Sequence, residues 1–141
     1  EAGVAAASLL DAVRLPLRLL DAMPHELSKG QRQRVAIARS LVLEPELLVA
    51  DDPTAGIDVT VRGQILDVIA DIQQERAFAA LIVTADLGEV RRIASRVAVM
   101  MRGRIVGLGE LDDVLNDPFH PYVRRLAQSL QATSALPIDA A

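Results

Sequence analysis

The feature that most constrains this chain is an alternation of short apolar runs with longer amphipathic stretches. Leu47-Leu48-Val49-Ala50 is a continuous apolar run ending in Asp51-Asp52-Pro53, and Leu81-Ile82-Val83-Thr84 is a second one. Four apolar residues bounded by breakers predict a strand buried on both faces. Between the two runs, Asp58 stands where a cap is needed, and Val61, Ile65, Val68, Ile69 and Ile72 recur at helical spacing. Strand, helix, strand in this order predicts an α/β layered fold with a mostly parallel sheet.

The flanking segments fit the same scheme. Residues 3 to 23 are rich in Ala and Leu and are interrupted by Pro16 and closed by Pro24, which predicts two short helices joined near the first proline. Ser28-Lys29-Gly30-Gln31 opens a further helix, with Val35, Ala38, Leu41 and Val42 as its apolar positions and Pro45 as its stop. Leu87 to Ala94 predicts another helix. Val97 to Met101 and Ile105 to Leu108 flank Arg102-Gly103-Arg104 and predict a hairpin. A short helix over Leu111 to Leu115, a turn between Pro118 and Pro121, a helix over Tyr122 to Leu130 and a frayed tail from Ala132 complete the reading.

Composition narrows the class. With 51% hydrophobic and 24% charged residues a chain of 141 residues can bury a core, and at 2% aromatics that core is aliphatic. No cysteine is present, which excludes disulfides, thiolate metal ligands and cysteine nucleophiles. The net charge of -4 argues against nucleic acid as a partner. No apolar run approaches the roughly 20 residues needed to span a bilayer. The chain lacks an initiator Met and a basic leader, and it reads as a soluble intracellular piece of something longer.

Two places carry chemistry. The free amides and positive dipole end at Ser28-Lys29-Gly30-Gln31 favour an anion, and Gly30 admits close approach of a phosphate; the alternative is a helix cap and nothing more. Asp51-Asp52 stand at the carboxyl end of an apolar strand, where ligands gather in open α/β sheets, and adjacent carboxylates suit a hydrated Mg²⁺ and an activated water. The alternative there is a loop with a proline stop. His25 lacks a second ligand at close spacing and reads as a surface or packing residue, and Arg32, Arg34 and Arg39 as solvated or interface-facing helix residues.

Taken in order, Leu27-Ser28-Lys29-Gly30-Gln31-Arg32-Gln33-Arg34, a helix, and Leu47-Leu48-Val49-Ala50-Asp51-Asp52-Pro53-Thr54 closely resemble the signature-to-Walker B stretch of ABC-type ATPases. The resemblance runs to about Ser129. Pro24-His25-Glu26-Leu27 and Pro118-Phe119-His120-Pro121-Tyr122 are similar to the subfamily serving dipeptide, oligopeptide and nickel importers.

The resemblance implies an incomplete P-loop NTPase fold of the ABC ATPase type, lacking the Walker A strand and loop. It divides the chain into the end of a helical subdomain (1–44), the second half of the ATPase core (45–116), an importer-type extension (117–131) and a tail (132–141). It implies ATP and Mg²⁺ as cofactors. Ser28, Lys29, Gly30 and Gln31 would meet the γ-phosphate of an ATP on a partner's P-loop, Asp51 would hold Mg²⁺ through water, Asp52 would orient the attacking water, and Asp58 would lie in the loop that crosses the dimer interface. Ala85 stands at the switch position. Implied partners are a second nucleotide-binding domain, membrane-embedded permease subunits and, indirectly, an extracytoplasmic binding protein, at the cytoplasmic face of a bacterial membrane.

Three positions depart from the family pattern. Asp52 replaces Glu and withdraws the carboxylate by about a bond length, and misplacements near 1 Å can cost on the order of a hundredfold in rate. Ala85 replaces His and has no donor for a phosphate. Lys29 replaces the second signature glycine. No G-x-x-x-x-G-K-[ST] loop occurs in the sequence. In the family sheet the strand carrying that loop lies between the strands ending at Thr84 and starting at Val97. The chain by itself is therefore expected to be marginally stable, to bind ATP poorly and to lack turnover, as the truncated or catalytically degenerate member of a pair would.

Overall fold

The computed structural model describes residues 2 to 134. The elements run α1 (Ala2–Ala12), α2 (Lys29–Ser40), β1 (Leu47–Asp51), α3 (Val59–Arg76), β2 (Ala79–Val83), α4 (Leu87–Ile93), β3 (Arg96–Met101), β4 (Arg104–Glu110), α5 (Leu111–Asn116) and α6 (Pro121–Ser134). Two compact units divide them at Ala85 and Asp86.

In the first unit, α3 supplies more of the core than any other single element. Of the stripe its periodicity predicts, Ile65, Val68, Ile69 and Ile72 are buried and Val61 is half-buried, and Leu66, outside that stripe, is buried as well; burying each fully is worth roughly 1.5–3 kcal/mol. Asp58 caps its start through Thr60, and Ala77 closes its end in the left-handed conformation at φ 53°, a place usually given to Gly. Phe78, next in sequence, is buried. α2 docks on α3 through the Arg34 guanidinium, which donates to Gln64 Oε1 at 2.8 Å and to the carbonyl of Arg14 at 3.3 Å. Arg14 is itself paired with Asp71. Arg32 donates to the carbonyl of Leu27 at 2.5 Å. Arg32 and Arg34 are thus bonded within the chain and are not simply solvated helix residues.

Three local expectations are corrected. The segment before Pro24 contains one helix, α1, and beyond it a single 3-10 turn at Leu17–Leu19; a second such turn, Pro24–Glu26, follows. Pro16 lacks the N–H that would continue the helix, and too few residues remain before Pro24 to nucleate another. α2 ends at Ser40, so Val42 and Leu43 lie past it and are exposed. The second strand begins at Ala79 and ends at Val83, earlier than the residues 81 to 84 expected.

β1 and β2 pair in parallel, Leu47 with Ala79, Val49 with Leu81 and Asp51 with Val83. The strands are not buried on both faces. Leu48 is buried, whereas Leu47, Val49, Leu81 and Val83 are each more than half exposed on the opposite face. Continuous apolarity predicts two covered faces, but burial depends on what packs across the sheet, which the run itself does not contain.

The second unit holds the hairpin. β3 and β4 pair antiparallel as a separate ladder, joined by Arg102 and Gly103 at φ 50° and 75°, the left-handed pair that a two-residue turn between twisted strands requires. A register shift between Val99 and Met100 marks a bulge. α5 and α6 pack on this hairpin, with Leu115 and Ala127 buried and Leu87 and Leu111 beside them. His120 Nδ1 accepts the amide of Tyr122 at 3.1 Å and so fixes the turn before α6. Residues 132 to 134 continue α6, and the remainder of the expected tail, from 135, lies outside the described residues.

Candidate functional site

All the sequence-predicted site residues fall in the first unit, on three adjoining pieces of backbone. The first is the start of α2. Ser28 is its N-cap in extended conformation, and its Oγ accepts the Gln31 amide at 3.2 Å while Gln31 Oε1 accepts the Ser28 amide at 2.8 Å. This reciprocal box satisfies two donors, while Lys29 and Gly30 occupy the first turn, where amides have no intrahelical acceptor. The cap and the anion-favouring end are therefore the same object.

Gly30 is buried, and a Cβ there would stand 3.1 Å from Val61 Cγ1. The absence of a side chain lets the start of α2 lie flush on the first turn of α3. The Lys29 side chain runs along the same junction, and its ammonium occupies the space that a Cβ on Gly56 would fill. The residue substituted for a signature glycine therefore touches the loop after β1.

The second piece is that loop. Asp51 ends β1 and is exposed. Asp52 follows at φ 46°, and its amide donates to the carbonyl of Val83 at 2.8 Å. Positive φ is uncommon outside glycine, with Asp and Asn the usual exceptions. The loop continues through buried Pro53 and Thr54 to Gly56 at φ 62°, where the left-handed backbone is natural, and then to buried Ile57. The amides of Ala55 and Ile57 donate to the carbonyls of Asp52 and Thr54 at 3.1 and 3.0 Å.

Asp58 closes the loop and caps α3. Its Oδ1 accepts both the hydroxyl of Thr60 at 2.7 Å and the amide of Thr60 at 2.9 Å. The Thr60 hydroxyl first, then the Thr60 amide, hold its carboxyl below the ordinary value of 3.8; a smaller desolvation effect opposes them and nearby Arg62 adds to them. At neutral pH Asp58 is an anion committed to its own helix start.

The third piece is the segment after β2. The parallel register puts Val83 opposite Asp51, so Ala85, two residues on and exposed, follows the same carboxyl edge that carries Asp51 and Asp52. Its methyl group offers nothing to a phosphate. No group of three or more Asp, Glu, His or Cys residues that could enclose a metal exists among the described residues. Two adjacent exposed carboxylates fit Mg²⁺ that keeps most of its water and takes its other ligands from phosphates, as that ion prefers, better than a cage of protein ligands. Sequence reasoning named Asp51, Asp52 and the start of α2 but missed Gly56 and Val61, for which only the left-handed propensity of a lone glycine offered a signal.

A capped helix start set against a loop with two carboxylates at the end of a parallel strand is the arrangement of a nucleotide-handling α/β protein. Comparison with known proteins gives the class its family. The ABC transporter family profile matches residues 2–55. The chain is 49% identical over 114 residues to the peptidoglycan transport ATP-binding protein YejF of Agrobacterium fabrum, covering 81% of this chain and 21% of that protein. It is 43% identical over 127 residues to the oligopeptide transport ATP-binding protein OppD of Bacillus subtilis, covering 89% and 36%. With the glutathione import ATP-binding protein GsiA of Escherichia coli it shares 41% over 138 residues, covering 96% and 22%. Among solved structures, the ADP conformation of the ABC transporter ATP-binding cassette MJ1267 superposes with a TM-score of 0.73 at 29% identity, over 87% of this chain and 50% of that one. The dimeric post-hydrolysis cassette MJ0796 bound to ADP and Pi gives 0.66 at 30%, over 77% and 46%.

This chain belongs to the ABC transporter ATP-binding family, and its fold is that of an ABC ATPase cassette. It spans between about a fifth and two fifths of the length of these curated relatives.

Proposed function

We propose that this chain is part of the ATP-binding subunit of a bacterial ABC importer that couples ATP hydrolysis to uptake of peptides or a similar small solute. The observation that carries the reading is the abutment of the α2 start on the loop after β1, which joins a phosphate-favouring turn to a pair of carboxylates in one compact unit. Relatives named for oligopeptide and glutathione transport support the solute class.

In this reading the amides of Lys29 and Gly30, with Ser28 and Gln31, meet the terminal phosphate of an ATP held by a second nucleotide-binding domain. A cassette solved as a dimer supports such pairing. At the other site of the pair, built on this subunit's own phosphate-binding loop, Asp51 would order the water around Mg²⁺, whose charge would offset that of the phosphates there. Asp52 aims the attacking water, and Asp58 lies where the loop meets the partner domain. Residues 1–44 serve as the end of the helical subdomain, 45–116 as the second half of the ATPase core and 117–131 as an importer-type extension. The subunit sits at the cytoplasmic face of the membrane against permease subunits and owes its solute indirectly to an extracytoplasmic binding protein; no described helix is long and apolar enough to cross a bilayer.

A second reading is favoured by Asp52 and Ala85: a degenerate partner domain that presents an intact signature to a competent one while turning over little ATP itself. By itself the chain, having no phosphate-binding glycine loop, is inactive. The test uses the full-length subunit assembled with its partner. On this second reading Ser28→Arg abolishes turnover of the pair, whereas Asp52→Ala leaves most of it. If only Asp52→Ala abolishes turnover, the roles are reversed. Restoring both Asp52→Glu and Ala85→His speeds ATP hydrolysis only if this half of the pair is a latent ATPase.

A further inference from the structure

Lys29 is an unexpected residue in its place. It is the first residue of α2, where the helix dipole disfavours a cation. It is also the only lysine in the chain. Lys29 is exposed, and among the described residues its ammonium takes part in no hydrogen bond or ion pair; it lies in the space over the α-carbon of Gly56. Gly56 is held at φ 62° and lies between the two short loop bonds made by the amides of Ala55 and Ile57. One residue further along α2, Gly30 seats against Val61 at the other end of the same segment. The start of α2 therefore bears on residues 56 and 61, on either side of Asp58.

We infer that Lys29 is a positioning residue: it braces the loop carrying Asp52 and Asp58 against the start of α2, so that the signature turn and the loop keep one relative placement. This deepens the reading given above, since its effect on turnover rests on that loop serving hydrolysis. A side chain at position 56 would both strain the backbone and evict the ammonium. A glycine at position 29 would leave the seat over Gly56 empty and hold the loop by its own bonds alone. The side chain of this substituted signature residue thus acts on the loop of its own chain, while its amide remains free for the phosphate of the partner's site.

The test is amide hydrogen exchange on the full-length subunit without nucleotide, together with steady-state ATP hydrolysis by the assembled transporter. Lys29→Gly speeds exchange at Ala55 and Ile57 about fivefold while the amides of Ile65 to Ile72 are unchanged. Gly56→Ala speeds loop exchange in the parent, and by about fivefold less in the Lys29→Gly background, because one of its two effects is already spent. In the assembled transporter Lys29→Gly lowers kcat with the KM for ATP within about twofold, since the contact is to loop and not to nucleotide. Loop exchange unchanged by Lys29→Gly, or strictly additive effects in the double variant, overturns the brace. A raised KM with unchanged exchange also overturns it and makes Lys29 a phosphate ligand. Faster loop exchange with unchanged kcat supports the brace and overturns the hydrolytic role of the loop instead.

Discussion

The amide of Asp52 donates to the carbonyl of Val83 at 2.8 Å, and this bond fastens the loop after β1 to the end of β2. It does so at a φ of 46°, a backbone conformation that asparagine and aspartate tolerate better than other side chains. The shortened acid at this position is therefore matched to its backbone.

Replacing Asp52 by Glu lengthens the acid at a cost. The left-handed backbone penalises Glu by about 0.5–1 kcal/mol relative to Asp. Denaturant unfolding measures that loss. In the full-length subunit the same change raises ATP turnover by about tenfold or more if the acid works as a base one bond too short. A stability loss without a gain in turnover favours the degenerate reading.

Ser28 separates the capping role from the phosphate role. Ser28→Ala removes the acceptor for the Gln31 amide and lowers stability by about 1 kcal/mol. Ser28→Asp keeps an acceptor and adds a favourable charge at the helix start, so thermal stability stays within about 0.5 kcal/mol of the parent. That carboxylate repels a phosphate, and turnover by the assembled pair falls at least about tenfold. Retained turnover in Ser28→Asp would show that the turn does not face ATP.

Asp58 makes a prediction in acid. Its folded pKa is depressed, chiefly by the Thr60 hydroxyl and then by the Thr60 amide. Its cap therefore contributes stability that is present above the unfolded value near 3.8 and is lost as pH falls through the lower folded value. Carbon-detected NMR titration follows the carboxyl directly. Thr60→Val removes the hydroxyl donor and moves the midpoint upward toward 3.8; an unmoved midpoint would mean that the hydroxyl is not the principal cause.

The open face of the β1–β2 ladder responds differently from the core. Val49 is 59% exposed, whereas Ile65 is fully buried. In this chain Val49→Thr changes stability by less than about 0.5 kcal/mol, while Ile65→Ala costs about 2–5 kcal/mol. In the full-length protein Val49→Thr costs at least about 1 kcal/mol if another segment of the cassette packs on that face. Chemical denaturation of both lengths measures the contrast.

Much of the local structure was legible in the residues because its causes are local. The stripe of α3, the caps at Ser28 and Asp58 and the Arg102-Gly103 turn each depend on neighbours within a few positions. The motif order around Ser28 and Asp51-Asp52 was also sufficient to place the chain in its family. Tertiary structure alone decided which side of the apolar strands is covered, because an apolar side chain does not specify what packs over it. It also decided that Arg34 ties α2 to α3 through Gln64, and that Lys29 reaches Gly56. Such contacts join residues far apart in the chain, and only the folded backbone brings a long side chain to the one position that has room for it.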